Sequence, residues 1–394
     1  MNKWLWIVLL SLLLGMGMGF LTWKLLPPKT KNEILSPLVL RQAQDKNENK
    51  FQVVGFLPTW MIGKTKMYGS ELTQLIFSGI EVNKDGSLLW DFQSKKINND
   101  DYVAIKNNVK AKGGKNLVSI KLFIDKNLDY LVANAESKSR LYAEVRDIVV
   151  AGGFDGVNVD FEYMSDPIRI LDDDMIVMFE EMKKAGWGIV NVDVFANTII
   201  KGDVKELDRL ARTVDGVIIM AYDFHRPGSE IAGAVAPMMA DVGQRSIAEI
   251  VNRLSADGVA KEKFVMAYPL YGYQWETING ELNSPTMANG YGVTILYKEG
   301  IGYTAGIFDD KAKSPWFAWI EKEERFKYVT KKVGKYYQKV KEFYTIDQWH
   351  QAYLENEDSL KSKIEVVKQA KIGGTGFWAL GYEGKTDLIE KLIN

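Results

Sequence analysis

The sequence predicts an α/β protein folded as a (β/α)8 TIM barrel with a small α+β insertion, and three observations lead there. Eight short β-rich runs recur between residues 51 and 381. Amphipathic helical patterns separate most of them, the alternation expected of parallel strands joined by helical crossovers. The spacing breaks once, between residues 272 and 373, where far more chain intervenes than one helix needs.

The chain opens with a separate element. Residues 4–23 (WLWIVLLSLLLGMGMGFLTW) are uncharged and apolar between Lys3 and Lys24, a length that spans a hydrocarbon core as a helix. The stretch is longer than a usual signal-peptide core, and no clear Ala-x-Ala site follows. Residues 1–26 therefore read as a transmembrane signal anchor, with a cleaved signal peptide as the alternative. Lys24, Lys29 and Lys31 follow the span and Lys3 precedes it, so charge bias leaves its orientation open. Residues 27–50 are polar, contain several prolines and read as a stalk.

Residues 51–394 carry the barrel. Its runs are FQVVGFLP (51–58), LTQLIFSGIEV (72–82), KNLVSIKLF (115–123), GFDGVNVDFE (153–162), GIVNVDVFA (188–196), DGVIIMAYDF (215–224), KFVMAYPLYG (263–272) and GGTGFWALG (373–381). Helical patterns occupy 138–151, 172–185, 203–213 and 244–256. Residues 276–350, rich in Tyr, Trp, Lys and Gly, hold the strand-like pieces GVTILYKEG, FKYVTKK and KVKEFYTI. They predict an α+β insertion between the seventh and eighth strands, on the C-terminal rim where such barrels carry their sites.

Composition narrows the chemistry. Lys+Arg number 50 against 51 Asp+Glu, for a net charge of −1, and no dense basic stripe breaks the balance, so nucleic acid is not an expected partner. With no cysteine, disulfides, thiol nucleophiles and Cys-ligated metals are excluded. Two histidines, His225 and His350, exclude a His-rich metal site, while counting leaves a carboxylate-only site open. Chemistry falls to Asp, Glu and Tyr. The 11 Trp and 18 Tyr serve either a large core or a ring-lined groove.

The fourth run concentrates acids in an alternating pattern. Side chains at i, i+2 and i+4 of a strand share a face, so Asn158, Asp160 and Glu162 point one way and Val157, Val159 and Phe161 the other. Helices cover the outside of a parallel barrel and take the apolar set. The polar trio then faces the lumen near the strand's C-terminal end, where burying carboxylates is costly unless they are paired or used. The bland alternative is a run of surface acids in a loop, which the apolar alternation argues against.

The run Asp155-Gly156-Val157-Asn158-Val159-Asp160-Phe161-Glu162 resembles the D-G-x-D-x-D-x-E signature of glycoside hydrolase family 18, the chitinases and endo-N-acetylglucosaminidases. Met220-Ala221-Tyr222-Asp223 resembles the family's M-x-Y-D, and Pro269-Leu270-Tyr271-Gly272 its P-x-Y-G. Gly376-Phe377-Trp378 stands where the family has a strand-eight Trp, and Asp358-Ser359-Leu360 with Lys363 resembles the segment after its insertion. The resemblance covers about residues 51–390 and implies substrate-assisted hydrolysis with retention of configuration. It makes Glu162 the proton donor, Asp160 the group that holds the substrate acetamido N–H, and Tyr222 the group that steadies the acetamido carbonyl. Trp378 becomes the floor beneath the sugar, with Asp223, Asn158, Met220, Phe56 and Tyr271 around the substrate. Tyr222, Trp378 and Met220 also fit a reading as core residues, and Trp60 and Trp275 as stacking rings or packing. No metal or organic cofactor is implied, and His225 receives no catalytic role.

Two departures stand out. The family usually has Asp where Asn158 stands, and the amide is expected to hydrogen-bond Asp160 without sharing a proton with it. Where the family has S-x-G-G, this chain has Ser119-Ile120-Lys121-Leu122, which reshapes that side of the cleft. The expected substrate is an N-acetylated polysaccharide or oligosaccharide, chitin-type or peptidoglycan. The expected location is the cell membrane with the barrel outside, or secretion if residues 1–26 are removed. A catalytically silent sugar-binding surface protein on the same fold is the rival reading.

Overall fold

The computed structural model describes residues 50–393 apart from 242–243, 257, 288–289 and 304–305. The apolar segment 4–23 and nearly all of the stalk lie outside the described residues. Among those described, no helix is long and apolar enough to cross a membrane.

Each of the eight β-rich runs contributes a barrel strand. They are β1 (Gln52–Pro58), β2 (Gln74–Val82), β3 (Lys115–Leu122), β4 (Gly156–Phe161), β5 (Ile189–Phe195), β6 (Gly216–Met220), β7 (Phe264–Pro269) and, after the insertion, Gly374–Trp378. All pair in parallel with their neighbours, and β1 pairs with both β2 and Gly374–Trp378, which closes the sheet into a barrel.

Alternation sorts the side chains into two separate clusters. Val157, Val159 and Phe161 of β4 join Val190, Val192 and Val194 of β5 in the core between sheet and helices. Val54, Phe56, Ile76, Leu117, Ile218, Val265 and Ala267 fill the lumen as a cluster of their own. A one-residue slip of any strand exchanges the two sets, and each buried aliphatic side chain contributes about 1.5–3 kcal/mol, so the register is firmly held.

Helix α1 (Ala135–Gly152) delivers the chain to β4. The Asn134 side chain accepts from the Ser137 N–H at its start, and Gly153 ends it in the left-handed region at φ 61°, where a side chain would strain. Asp155, the first acid of the motif, then accepts the Asn116 N–H at 3.0 Å and ties the foot of β4 to β3.

Between the seventh and eighth barrel strands lies a five-stranded antiparallel sheet: β8 (Tyr271–Thr277), β9 (Gly292–Leu296), β10 (Ile307–Asp309), β11 (Ser314–Val333) and β12 (Tyr336–Tyr353). Its order is β9-β8-β12-β11-β10. The final barrel strand, Gly374–Trp378, is β13. The sheet extends past both ends of the predicted 276–350, and among the described residues its α content is one turn, Tyr297–Gly300. The reason is local: the run read as strand seven splits at Leu270, whose N–H donates to Trp378 O at 2.8 Å, so Tyr271 and Gly272 already belong to the second sheet.

Candidate active site

Asn158 and Asp160 rise from β4 into the lumen, and Glu162 follows just past the strand's end, its N–H donating to Leu122 O at 3.0 Å. Asp160 and Glu162 hydrogen-bond each other through their side chains, so one of the two carboxyls holds a proton. Asp160 is 9% exposed and Asn158 wholly buried. Glu162 is half-buried at the mouth.

A third carboxyl completes the cluster. Asp193 of β5 is buried, and its Oδ2 accepts from Asn158 Nδ2 at 2.6 Å. The sequence reading set that amide against Asp160; the structure turns it to Asp193. Residues two apart along a strand are separated by about 6.6 Å, whereas a neighbouring strand lies about 4.8 Å away, so the cross-strand acid is the nearer acceptor. Asp193 escaped the sequence reading although its signal was present: Asn191-Val192-Asp193 on the fifth run repeats the alternation of Asn158-Val159-Asp160. The Oδ1 atoms of Asn158, Asp160 and Asp193 are buried without a hydrogen-bond partner among the described residues.

Burial and mutual repulsion set the electrostatics. Burial, then the charge and hydrogen bond of Asp160 and the charge of Asp193, hold the Glu162 carboxyl well above the usual range, against the opposing pull of Lys121. Burial pushes Asp160 up to about 6, tempered by the hydrogen bond with Glu162 and by Lys121. Burial and the charge of Asp160 also raise Asp193, while the Asn158 bond lowers it. Three close carboxyls titrate as a unit, Asp160 giving up its proton first and Glu162 and Asp193 keeping theirs to higher pH.

Tyr222 and Trp378 stand above this cluster. Both pack partly buried against the lumen cluster and against the cluster of the inserted sheet, so they sit where the barrel mouth meets the insertion. Burial and the surrounding acids Asp193, Asp160 and Glu162 raise the Tyr222 phenol, which stays a neutral donor. The Trp378 ring rests on buried Phe56 at 5.8 Å between centroids and meets Trp60 at 6.2 Å. Trp60 is 42% exposed and its Nε1 donates to Tyr382 Oη at 3.2 Å.

Asp223 adopts φ 57°, and its Oδ1 accepts from Tyr271 Oη at 2.5 Å and Tyr273 Oη at 2.9 Å. Tyr271, buried beside Tyr222, thus reaches the site through Asp223. Met220 is half-buried at the end of β6. Trp275 is buried in the inserted sheet's core, where it packs against Tyr273 and Tyr353. His225 Nδ1 bonds Ala234 O at 2.9 Å and takes no part in the carboxyl cluster.

Residues 52–383 match the family described as "Glycosyl hydrolases family 18". A Bacillus subtilis protein named "Putative sporulation-specific glycosylase YdhD" is 24% identical over 255 residues, 63% of this chain and 52% of that protein, so the chain spans about half its length. Endochitinase 1 of Metarhizium robertsii is 22% identical over 347 residues, 78% of this chain and 75% of that one. Among solved structures, the Ostrinia furnacalis Group IV chitinase in complex with allosamidin aligns with a TM-score of 0.66 at 17% identity, covering 87% of this chain and 98% of that one. The Bacillus megaterium spore cortex-lytic enzyme SleL aligns with a TM-score of 0.62 at 18% identity, covering 89% and 76%. At such identities these alignments speak for the shared barrel.

Proposed function

Because this chain belongs to the glycosyl hydrolases family 18, we propose that it is a glycosidase cleaving β-1,4 bonds beside N-acetylglucosamine in chitin-type or peptidoglycan glycans. The observation that carries the reading is the hydrogen-bonded pair of buried Asp160 and half-buried Glu162, one proton between two carboxyls, at the lumen mouth. The relatives named for chitin and for spore cortex support the substrate class.

Glu162 gives its proton to the glycosidic oxygen as the bond to the anomeric carbon breaks. The substrate's acetamido carbonyl oxygen attacks that carbon from the opposite side and forms an oxazolinium ion. Asp160 accepts the acetamido N–H and offsets the positive charge, and the Tyr222 hydroxyl donates to the acetamido oxygen. Deprotonated Glu162 then takes a proton from water, which opens the ring with net retention. Trp378 on Phe56 forms the apolar floor, and Asp223, oriented by Tyr271 and Tyr273, with Met220 at its side, meets sugar hydroxyls. The apolar residues 4–23 hold the chain at the cell membrane with the barrel outside.

Turnover of 4-methylumbelliferyl chitobioside tests this reading. Wild type is expected to release the fluorophore and Glu162→Gln to fall by roughly 10²–10⁴-fold, the usual contribution of a positioned acid. Efficient cleavage of a glucose oligomer lacking the acetamido group would sink the mechanism, since its nucleophile would be absent. A wild type that binds N-acetylated glycans and cleaves none would be a sugar-binding protein instead.

A further inference from the structure

Leu117, Ser119 and Lys121 of β3 pair in register with Gly156, Asn158 and Asp160 of β4. Lys121 therefore faces the lumen one strand from Asp160, at the level where Glu162 emerges. Its ammonium lies 3.4 Å from Glu81 Oε1 of β2, beyond a close hydrogen bond, and the Glu81 side chain is 58% exposed against 22% for Lys121. Water already serves the Glu81 charge, and pairs of this kind contribute about 0–1 kcal/mol, so neutralising Glu81 does not account for the lysine. Toward the site its effect is divided: Lys121 favours the charged form of Asp160, but it also draws down Glu162, which needs to keep its proton. The charges that act on Glu162 are Asp160, Asp193 and Lys121, one cation among acids.

We propose that Lys121 is a specificity-determining residue that receives a carboxylate on the sugar leaving with the glycosidic oxygen. This rests on the glycosidase reading above and narrows its substrate class to glycans in which N-acetylglucosamine alternates with a sugar bearing an ether-linked lactyl carboxylate, as in peptidoglycan. In such a sugar the leaving oxygen is on C4 and the lactyl ether on C3. An oxygen seated at Glu162 therefore brings the carboxylate to the same side of the mouth, where β3 presents Lys121. The ion pair also spends the lysine's charge on substrate. Its pull on the Glu162 proton is then relieved only in the complex with the acidic glycan. Neutral chitin-type chains leave Lys121 uncompensated.

The experiment compares kcat/KM on an N-acetylglucosamine–N-acetylmuramic acid oligosaccharide, on its methyl ester and on a chitin oligomer, for wild type, Lys121→Met and Lys121→Arg. Wild type is expected to prefer the free acid over both neutral substrates. Lys121→Met is expected to lower the acid-to-chitin ratio roughly ten- to a hundredfold, the range for losing a charged hydrogen bond in a desolvated site. The ester gains no such advantage, and Lys121→Arg keeps most of the preference. Turnover of the chitin oligomer by Lys121→Met reports that the variant is folded. An unchanged ratio, or an equal fall on acid and neutral substrates, overturns the proposal. If wild type cleaves nothing, the glycosidase reading fails by itself, and calorimetric binding of acid against ester then decides the role of Lys121.

Discussion

Glu162 serves as an acid only while it keeps its proton, and its surroundings are arranged to that end. Burial first and Asp160 second hold its carboxyl above the usual range, so kcat is expected to persist until pH rises through that raised value and then to fall. Asp160→Asn removes the neighbouring charge, and the alkaline limb of the pH–rate profile should move to lower pH; an unmoved limb means that another group sets it. Tyr222→Phe deletes a donor whose contact is strongest in the transition state. A loss of about 1.4–4 kcal/mol, ten- to a thousandfold in kcat, is expected, and unchanged rates leave Tyr222 as packing. Asp193 makes a different prediction. Its folded-state pKa is raised, so ionisation penalises only the folded chain: the penalty is absent below the unfolded value of about 3.9 and grows as pH rises toward the folded one. Asp193→Asn, which can still accept from Asn158, should raise Tm at neutral pH, leave it unchanged in acid and lower activity. Thermal melts at both pH values check this. The acids of β4 were legible because alternation isolates them on one face. The partner of Asn158 was not, because an amide's choice between an acid along the strand and one across it depends on a spacing that only the folded sheet supplies.

At the scale of elements, the barrel strands were legible where the period-2 pattern and the helical spacers agreed, and less so where neither operates. Strands β11 and β12 pair continuously from Trp316↔Tyr353 to Val333↔Tyr336; the pieces FKYVTKK and KVKEFYTI, read as strand-like, fall within them, but charged residues on both faces hid how far the pairing runs. The last tie to β8 is Arg325, which donates to Glu276 at 2.7 Å and also binds Glu323. Beyond it the ribbon is held by its own pairs, including Phe326–Phe343 at 6.1 Å and Lys341 Nζ at 4.2 Å above the Phe326 ring. Tyr336 and Tyr337 at the tip are exposed at 75% and 72%. Two-stranded ribbons are marginal alone, so this one adds little to the stability of the rest. Replacing 328–341 with Asn-Gly closes the turn on the Lys327–Glu342 pair, which shares the register phase of Val333–Tyr336 at the natural two-residue turn, and should leave Tm within about 2 °C and chitobioside turnover intact. A larger drop in the melt would show that the distal ribbon supports the sheet.

For the molecule as a whole, the question is how an inserted sheet with a long ribbon stays fixed to the barrel whose mouth it borders. The return path carries the answer. From Tyr353 the chain passes through Glu355 into helix α2 (Glu357–Gln369), which leads to β13. Lys363, wholly buried on α2, places Nζ 2.5 Å and 2.6 Å from the two carboxyl oxygens of Glu355, and Ser359 Oγ donates to the same carboxylate at 2.6 Å. Tyr268 of β7 donates its hydroxyl to Lys363 O at 3.2 Å. The knot thus joins the insertion's exit, α2 and a barrel strand through a buried ion pair. The sequence had flagged Lys363 through its neighbours Asp358-Ser359-Leu360; Glu355, just beyond the strand-like text, carried no mark of its own. Removing one member of a buried pair strands the other charge, at a cost of about 3–5 kcal/mol, whereas removing both is often nearly neutral. Lys363→Met should therefore shift the urea midpoint sharply down, and Lys363→Met with Glu355→Leu should restore most of it. Because the knot contacts both barrel and insertion, the single variant should unfold in one transition, with tryptophan fluorescence and far-UV circular dichroism coincident. Two separated transitions would show instead that the pair staples the insertion alone and that the barrel stands without it.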